Sequence, residues 1–359
     1  MLRRSFVLVA VWLLSAAAAR ADEVAPKLDE YLSALTKLGR FSGSVLVARD
    51  GRVLLAKGYG LANAEWDIPN TPATKFRLGS VTKQFTALAI LQLDEKGKLK
   101  VEDPVSKYVA DCPEAWRKIT IHHLLTHTSG IPSFTSFPDY VTTMNQRSPV
   151  SKTVERFKGK ALDFEPGEKF QYSNSGYVLL GYILEKVAEQ DYGEYLEQNV
   201  FGPLKMRNSG YDSSAAILKQ RASGYMRRAG NLANALYIDM TVPHAAGALY
   251  STVEDLFLWD QALYTEKLVS KKSLDRIFTP FKGDYAYGWF VAQKHNRKYI
   301  GHAGGINGFS TMIERYPDDK VAVIVLSNVE GSAVGPAARD LAAIVFGEKY
   351  EMPSERKGP

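Results

Sequence analysis

The sequence predicts an α/β (α+β) protein: one antiparallel sheet assembled from both ends of the chain, flanked by helices, with an all-helical region inserted between the two sheet segments. Three observations carry this. Strand patterns cluster at residues 41–59 and 287–327, the long middle stretch is dominated by helical periodicity, and a helical pattern follows the last strand. On this reading residues 1–21 are a signal peptide, 22–100 and 246–359 form the sheet domain, and 101–245 form a mainly helical domain. The cleft between the two parts is the natural place for a site.

Taken in order, Arg3 and Arg4, the apolar run Phe6 to Ala19 and the small-residue step Ala19-Arg20-Ala21 match a cleavable leader, which predicts a periplasmic or secreted protein. An uncleaved anchor, the alternative, needs about 20 apolar residues, more than this run supplies. Val24 to Leu38 reads as an amphipathic helix through Leu28, Tyr31, Leu32 and Leu35, with Gly39 past its end. Phe41 to Ala48 and Arg52 to Tyr59 read as strands joined by Asp50-Gly51, a strong hairpin signal. The apolar run Ala87 to Leu93 before Gly97 predicts a buried helix that starts at or near Ser80. Pro166-Gly167 breaks the helical middle. Tyr287 to Gln293, Phe309 to Tyr316 and Val321 to Ser327 read as strands, the last two joined at Pro317-Asp318-Asp319, and Ala337 to Phe346 as the closing helix.

Apolar residues make up 45% of the 359, enough for a large core, which excludes a disordered or fibrous chain. The formal charge of +6 includes Arg3, Arg4 and Arg20, so 6 − 3 = +3 remains after Ala21, too mild to argue for nucleic acid. Cys112 is the single cysteine, so no internal disulfide is available, and no neighbouring His activates it.

Three short motifs carry chemistry. In Leu78-Gly79-Ser80-Val81-Thr82-Lys83, the Ser80 hydroxyl and Lys83 amine project from one helix face a turn apart. A serine needs a base to become a nucleophile, and a lysine serves only when burial or positive potential lowers its pKa. Ser354-Glu355-Arg356-Lys357 has the same spacing but lies in a polar tail. Tyr172-Ser173-Asn174 follows Pro166-Gly167 and precedes a helix with Tyr177, Leu180, Leu184 and Val187 on one face; a Tyr there relays a proton into a cleft or simply packs beside a capping Asn. His302-Ala303-Gly304-Gly305, between Gly301 and Gly308, lets a substrate lie close along a strand, or else is a bulged edge.

In this order the three motifs resemble the serine β-lactamase and penicillin-binding-protein family, in particular its branch of class C β-lactamases, DD-peptidases and lactamase-like esterases. The likeness runs on through Leu124-Leu125-Thr126-His127-Thr128-Ser129-Gly130, from Pro166 to Tyr177, and through Gly247-Ala248-Leu249-Tyr250-Ser251-Thr252. It implies Ser80 as acylated nucleophile, Lys83 as base and Tyr172 as acid/base partner. It also implies that Asn174 binds Lys83 or substrate, that His302, Gly304 and Gly305 border the substrate, and that the Ser80 and Gly305 N–H groups form an oxyanion hole. The family's Lys-Thr-Gly is His302-Ala303-Gly304 here, without permanent ammonium or hydroxyl, which argues against efficient β-lactam hydrolysis. If His302 faced substrate carboxylates, their binding would titrate near pH 6.5.

No serine lies in G-x-S-x-G. His123 and His127 have a zinc-like spacing without the glutamate of H-E-x-x-H, so no metal and no cofactor is expected. Ser251 with Glu254 reads as a capping box, and Tyr287 and Trp289 suit cleft or core equally. The expected protein is an exported serine hydrolase acting through an acyl-enzyme on an ester, amide or lactam of a small molecule or peptide. An esterase or D-Ala-D-Ala-type peptidase is preferred to a class C-like β-lactamase. A non-catalytic cell-wall-fragment sensor or scaffold on the same fold is the alternative of another class.

Overall fold

The computed structural model describes residues 23–356, and the predicted signal peptide lies outside them. Helix α1 runs through residues 23–37 and buries Leu28, Tyr31 and Leu32. Strands β1 (Gly43–Arg49) and β2 (Arg52–Tyr59) follow. Asp50 and Gly51 between them have φ of 51° and 73°, the left-handed pair that a two-residue hairpin turn of this kind requires. Helix α2 (Thr82–Glu95) is buried along almost its whole length. It stops at Gly97, whose φ is 68°; the Lys98 N–H then returns to the Leu93 carbonyl.

The middle of the chain supplies α3 (Ile121–Leu125) and α4 (Asn174–Ala188), then α5 (Val253–Ala262). It also contains a small hairpin, Tyr225–Arg228 with Asn231–Asn234, and a short pairing of Gly210–Tyr211 with Leu249–Ser251, neither of which stood out from the sequence. The chain closes with β3 (Phe290–Lys294), β4 (Arg297–Ile306), β5 (Phe309–Tyr316), β6 (Val321–Ser327) and α6 (Val334–Phe346). The six strands form one antiparallel sheet in the order β3-β4-β5-β6-β1-β2. The N-terminal hairpin is stitched to the last strand from Gly43↔Ser327 to Arg49↔Val321, so the two ends of the chain share one sheet.

Both faces of that sheet are covered, and the two-residue period sorts the side chains. Val45, Val47, Val323 and Val325 face α1 and α6, whereas Leu46, Ile313, Ile324 and Leu326 join the large cluster shared with α2, α4 and α5. Each such fully buried aliphatic side chain contributes about 1.5–3 kcal/mol. The Tyr31 hydroxyl donates to Asp340 over 2.5 Å and ties α1 to α6.

Three boundaries differ from the sequence expectation. The first strand begins at Gly43 because Phe41 turns into the cluster under α1. The segment predicted from Tyr287 becomes a strand only at Phe290. Gly288 has φ of 79°, and a Cβ there would sit 2.7 Å from the Lys83 carbonyl, so the chain kinks against α2. Tyr287 and Trp289 are therefore core residues. The cap of α5 is Thr252, whose hydroxyl accepts from the Asp255 N–H at 3.1 Å; Ser251 instead shares a 2.7 Å hydrogen bond with Ser209.

Candidate active site

Ser80 stands in a single tight turn, Gly79–Val81, immediately before α2. Two glycines let this turn press onto the sheet. Gly79 has φ of 53°, and a Cβ on it would come within 2.9 Å of the Gly305 backbone. A Cβ on Gly304 would lie 2.0 Å from the Leu78 carbonyl, which itself accepts from Thr311 Oγ1 at 2.7 Å. Ser80 is thus fixed, half-buried, in an open cleft of about 520 Å³. Phe134, Thr135, Tyr140 and Asn174 line it from the helical region, and Gly305, Ile306, Phe309 and Ser310 from the sheet. Ser80 and Gly305, the two expected oxyanion-hole residues, border the same space. Among the described residues, the only ionic side chain in its lining is Glu330.

Lys83 lies beneath Ser80 and is fully enclosed. Its Nζ is 2.9 Å from Ser80 Oγ, 2.9 Å from Asn174 Oδ1 and 2.8 Å from the Ala246 carbonyl. Burial holds this amine well below the ordinary lysine range. The partners then decide where its lone pair points. Asn174 Oδ1 and the Ala246 carbonyl can only accept, so a neutral amine spends both N–H groups on them and leaves its lone pair for the Ser80 hydroxyl.

Asn174 is the first residue of α4, yet its side chain does not cap that helix. Its oxygen takes the Lys83 hydrogen bond and its Nδ2 donates to Thr135 Oγ1 at 3.1 Å. The Ser133 hydroxyl accepts from the Asn174 N–H, also at 3.1 Å. Tyr172 presents its ring face to Lys83, 4.9 Å from Nζ, and its enclosed hydroxyl makes no hydrogen bond of good geometry. Burial pushes the phenol well above its usual pKa, and the neighbouring Ser80 hydroxyl opposes that rise. Tyr172 therefore stays protonated.

His127 underlies this arrangement. Its ring packs at a tilt of 36° against Tyr172, 4.1 Å between centroids, and its Nδ1 accepts from the Ser173 N–H at 3.2 Å. Burial, with Lys83 and His302 nearby, holds it far below the usual histidine pKa. A neutral ring thus sets the loop that carries Tyr172 and Asn174. Sequence reasoning left His127, Ser133, Thr135 and the Ala246 carbonyl outside the site. Two were single hydroxyls in an unpatterned loop and one was a backbone atom.

His302 corrects an expectation. Its side chain is buried instead of lining the cleft, with Nε2 3.0 Å from the Tyr285 hydroxyl and Nδ1 2.6 Å from the Ala303 carbonyl. Burial, followed by the influence of Lys83, lowers its pKa to about 3. Gly304 serves the close approach of two backbones and is itself buried, while Gly305 borders the cleft. Away from the site, His123 caps α3, its Nδ1 accepting from the Thr120 N–H. Among the described residues no cluster of three or more His, Cys, Asp or Glu is placed to hold a metal. Cys112 is half-buried, and burial raises its thiol pKa.

A serine with a buried amine at its hydroxyl, in a cleft between an antiparallel sheet and a helical region, defines a hydrolase of the β-lactamase and penicillin-binding-protein type. The Beta-lactamase family model matches residues 27–346, and the chain belongs to that family. It is similar to penicillin-binding protein 4* of Bacillus subtilis (strain 168), 32% identical over 356 residues, covering 91% of this chain and 77% of that protein. The octameric penicillin-binding protein homologue from Pyrococcus abyssi superposes with a TM-score of 0.79 at 32% identity, over 90% of this chain and 78% of that one. A penicillin-binding protein from Bacillus halodurans gives 0.77 at 30% identity, over 87% and 97%. The protein is a serine hydrolase of this family.

Proposed function

We propose that the protein hydrolyses neutral ester or amide acyl groups through an acyl-enzyme on Ser80. One observation carries the reading: the fully buried Lys83 Nζ lies 2.9 Å from Ser80 Oγ, with the acceptors Asn174 Oδ1 at 2.9 Å and the Ala246 carbonyl at 2.8 Å as its other partners. Ser80 Oγ bonds to the carbonyl carbon as its proton passes to Lys83 Nζ. The oxyanion rests on the N–H groups of Ser80 and Gly305. The carbon–heteroatom bond breaks as Lys83 returns the proton to the leaving group through the Tyr172 hydroxyl. Water then bonds through its oxygen to the acyl carbon as its proton passes to the same relay, and the bond to Ser80 Oγ breaks as the relay returns that proton to Oγ, releasing the acid.

The cleft's charge argues for the substrate class. Among the described residues no Lys or Arg lines it, Glu330 is its one ionic group, and His302 is neutral and buried against Tyr285. A carboxylate next to the scissile bond, as in a β-lactam or a D-Ala-D-Ala peptide, meets no cation there. Neutral esters and amides are favoured, with weak β-lactam turnover as a side activity. The leader sequence supports an exported enzyme, and N-terminal sequencing of the mature protein tests for a start at Asp22.

A parallel screen on p-nitrophenyl esters, a chromogenic cephalosporin and D-Ala-D-Ala peptides should rank the esters first. With a slowly deacylating ester, intact-protein mass spectrometry should show one acyl adduct, mapped to the Ser80 peptide and missing in Ser80→Ala. A higher rate on the cephalosporin would overturn the substrate class. An adduct on another residue would overturn the mechanism.

A further inference from the structure

Phe309 and Asn307 each line two spaces. One is the cleft at Ser80, and the other is a second cavity of about 650 Å³, walled by parts of the segments 214–224 and 234–237. Among the described residues, the only ionic side chains lining the second cavity are Arg77 and Arg221. They converge on one carboxylate: Arg77 Nε lies 2.7 Å from Asp212 Oδ2 and Arg221 Nη1 lies 2.7 Å from Asp212 Oδ1. Asp212 is 1% exposed and spends its single charge on two guanidiniums. One positive charge is left over. The Arg77 guanidinium carbon is 6.0 Å from the centroid of the Phe309 ring, the side chain common to both spaces. Exposed Ile217, Leu236 and Tyr237 supply apolar surface in the same cavity.

We propose that this cavity is a subsite for a remote carboxylate on the substrate, bound by Arg77 and Arg221, with Ile217, Leu236 and Tyr237 receiving an apolar spacer. The proposal rests on Ser80 as the nucleophile of the neighbouring cleft and extends that reading to acyl groups acidic at their far end. Guanidinium forks suit a carboxylate because they donate two parallel hydrogen bonds. Asp212 already holds both arginines in place, so little side-chain freedom is lost when the anion arrives. The arrangement also fits a cleft without a cation beside Ser80: the anion is held one aromatic side chain away from the scissile bond.

The probes are p-nitrophenyl monoesters of straight-chain dicarboxylic acids of increasing length, each paired with the neutral monocarboxylic ester of the same length. The ratio of kcat/KM, acidic over neutral, should rise with length to a maximum about ten-fold or more above the shortest pair, once the chain spans Phe309. Arg221→Ala should return that maximum toward the short-chain ratio, and Arg221→Lys should keep part of it. A ratio flat in length, or a maximum untouched by Arg221→Ala, overturns the subsite. If Arg221→Ala fails to fold, the length series on the unaltered enzyme decides alone. Ser80→Ala separates the two readings. Turnover that survives it sinks the hydrolase mechanism, whereas a flat ratio on Ser80-dependent turnover sinks only the subsite.

Discussion

His302 Nε2 lies 3.0 Å from the Tyr285 hydroxyl, while its Nδ1 lies 2.6 Å from the Ala303 carbonyl. A carbonyl only accepts, so Nδ1 carries the proton and Nε2 accepts from the phenol. The ring is neutral with both nitrogens engaged, and burial with nearby Lys83 puts its pKa at about 3. The ratio of β-lactam to ester kcat/KM should therefore be flat from about pH 5 to about pH 8, with no step near the ordinary histidine value. A rise in that ratio as the pH falls through about 6.5 would show that His302 meets substrate.

Tyr172→Phe separates chemistry from packing. The hydroxyl is enclosed and lacks a hydrogen-bond partner of good geometry, so its removal relieves the folded state of an unpaired polar group that costs about 1–3 kcal/mol. The melting temperature should hold or rise. Meanwhile kcat should fall by about 10²-fold or more with a smaller change in KM, as for a lost proton relay. Unchanged kcat would reduce Tyr172 to a packing residue.

Two adjacent glycines should respond oppositely to the same methyl group. On Gly304 it would lie 2.0 Å from the Leu78 carbonyl and 2.3 Å from Thr311 Oγ1, so Gly304→Ala must push β4 away from the Ser80 turn. Melting temperature and kcat should drop together. At Gly305 nothing lies within 4 Å, so Gly305→Ala should keep its melting temperature and act in the cleft, chiefly on KM. Equal stability losses in the two variants would contradict this packing.

What the sequence made legible is what repeats or what punctuates. Phe309–Tyr316 and Val321–Ser327 emerge with their predicted bounds because both are short runs rich in β-branched or aromatic residues and the Pro317–Asp319 turn separates them. The pairing of Ser80 with Lys83 follows from helical spacing alone. Other features depend on atoms brought from afar. Ala246 offers only its carbonyl to Lys83, 163 residues distant, and no side-chain pattern marks a backbone acceptor. His302 looked like a cleft residue by its place in the motif. Its ring instead packs among Tyr285, Phe290 and Tyr172, aromatic residues that lie outside its own motif. Ser251 lost the helix cap to its neighbour because Ser209, on another segment, claimed its hydroxyl.

Acid stability follows from the histidines that folding keeps neutral. Burial lowers His244 to about 4 and, together with Lys83, lowers His302 to about 3, against 6.5 for each when exposed. Above 6.5 neither state binds the proton, so these groups contribute nothing. Below it the unfolded chain takes up protons that the folded chain refuses, and stability falls by about 1.4 kcal/mol per pH unit for each histidine until its folded pKa is reached. Two carboxyl groups, buried Asp255 and half-buried Glu185, work against this trend. Burial raises Glu185 and Asp255, so the folded state protonates them first and gains stability as the pH drops toward their ordinary values. A difference between two proteins removes their contribution. The amide of His302→Gln can still accept from Tyr285 and donate to the Ala303 carbonyl, but it cannot titrate. The unfolding free energy of the unaltered protein minus that of His302→Gln, from denaturant titrations, should thus be about 2 kcal/mol smaller near pH 5 than near pH 7. A difference independent of pH would mean that His302 titrates alike in both states, and that its buried place between Tyr285 and Ala303 is wrong.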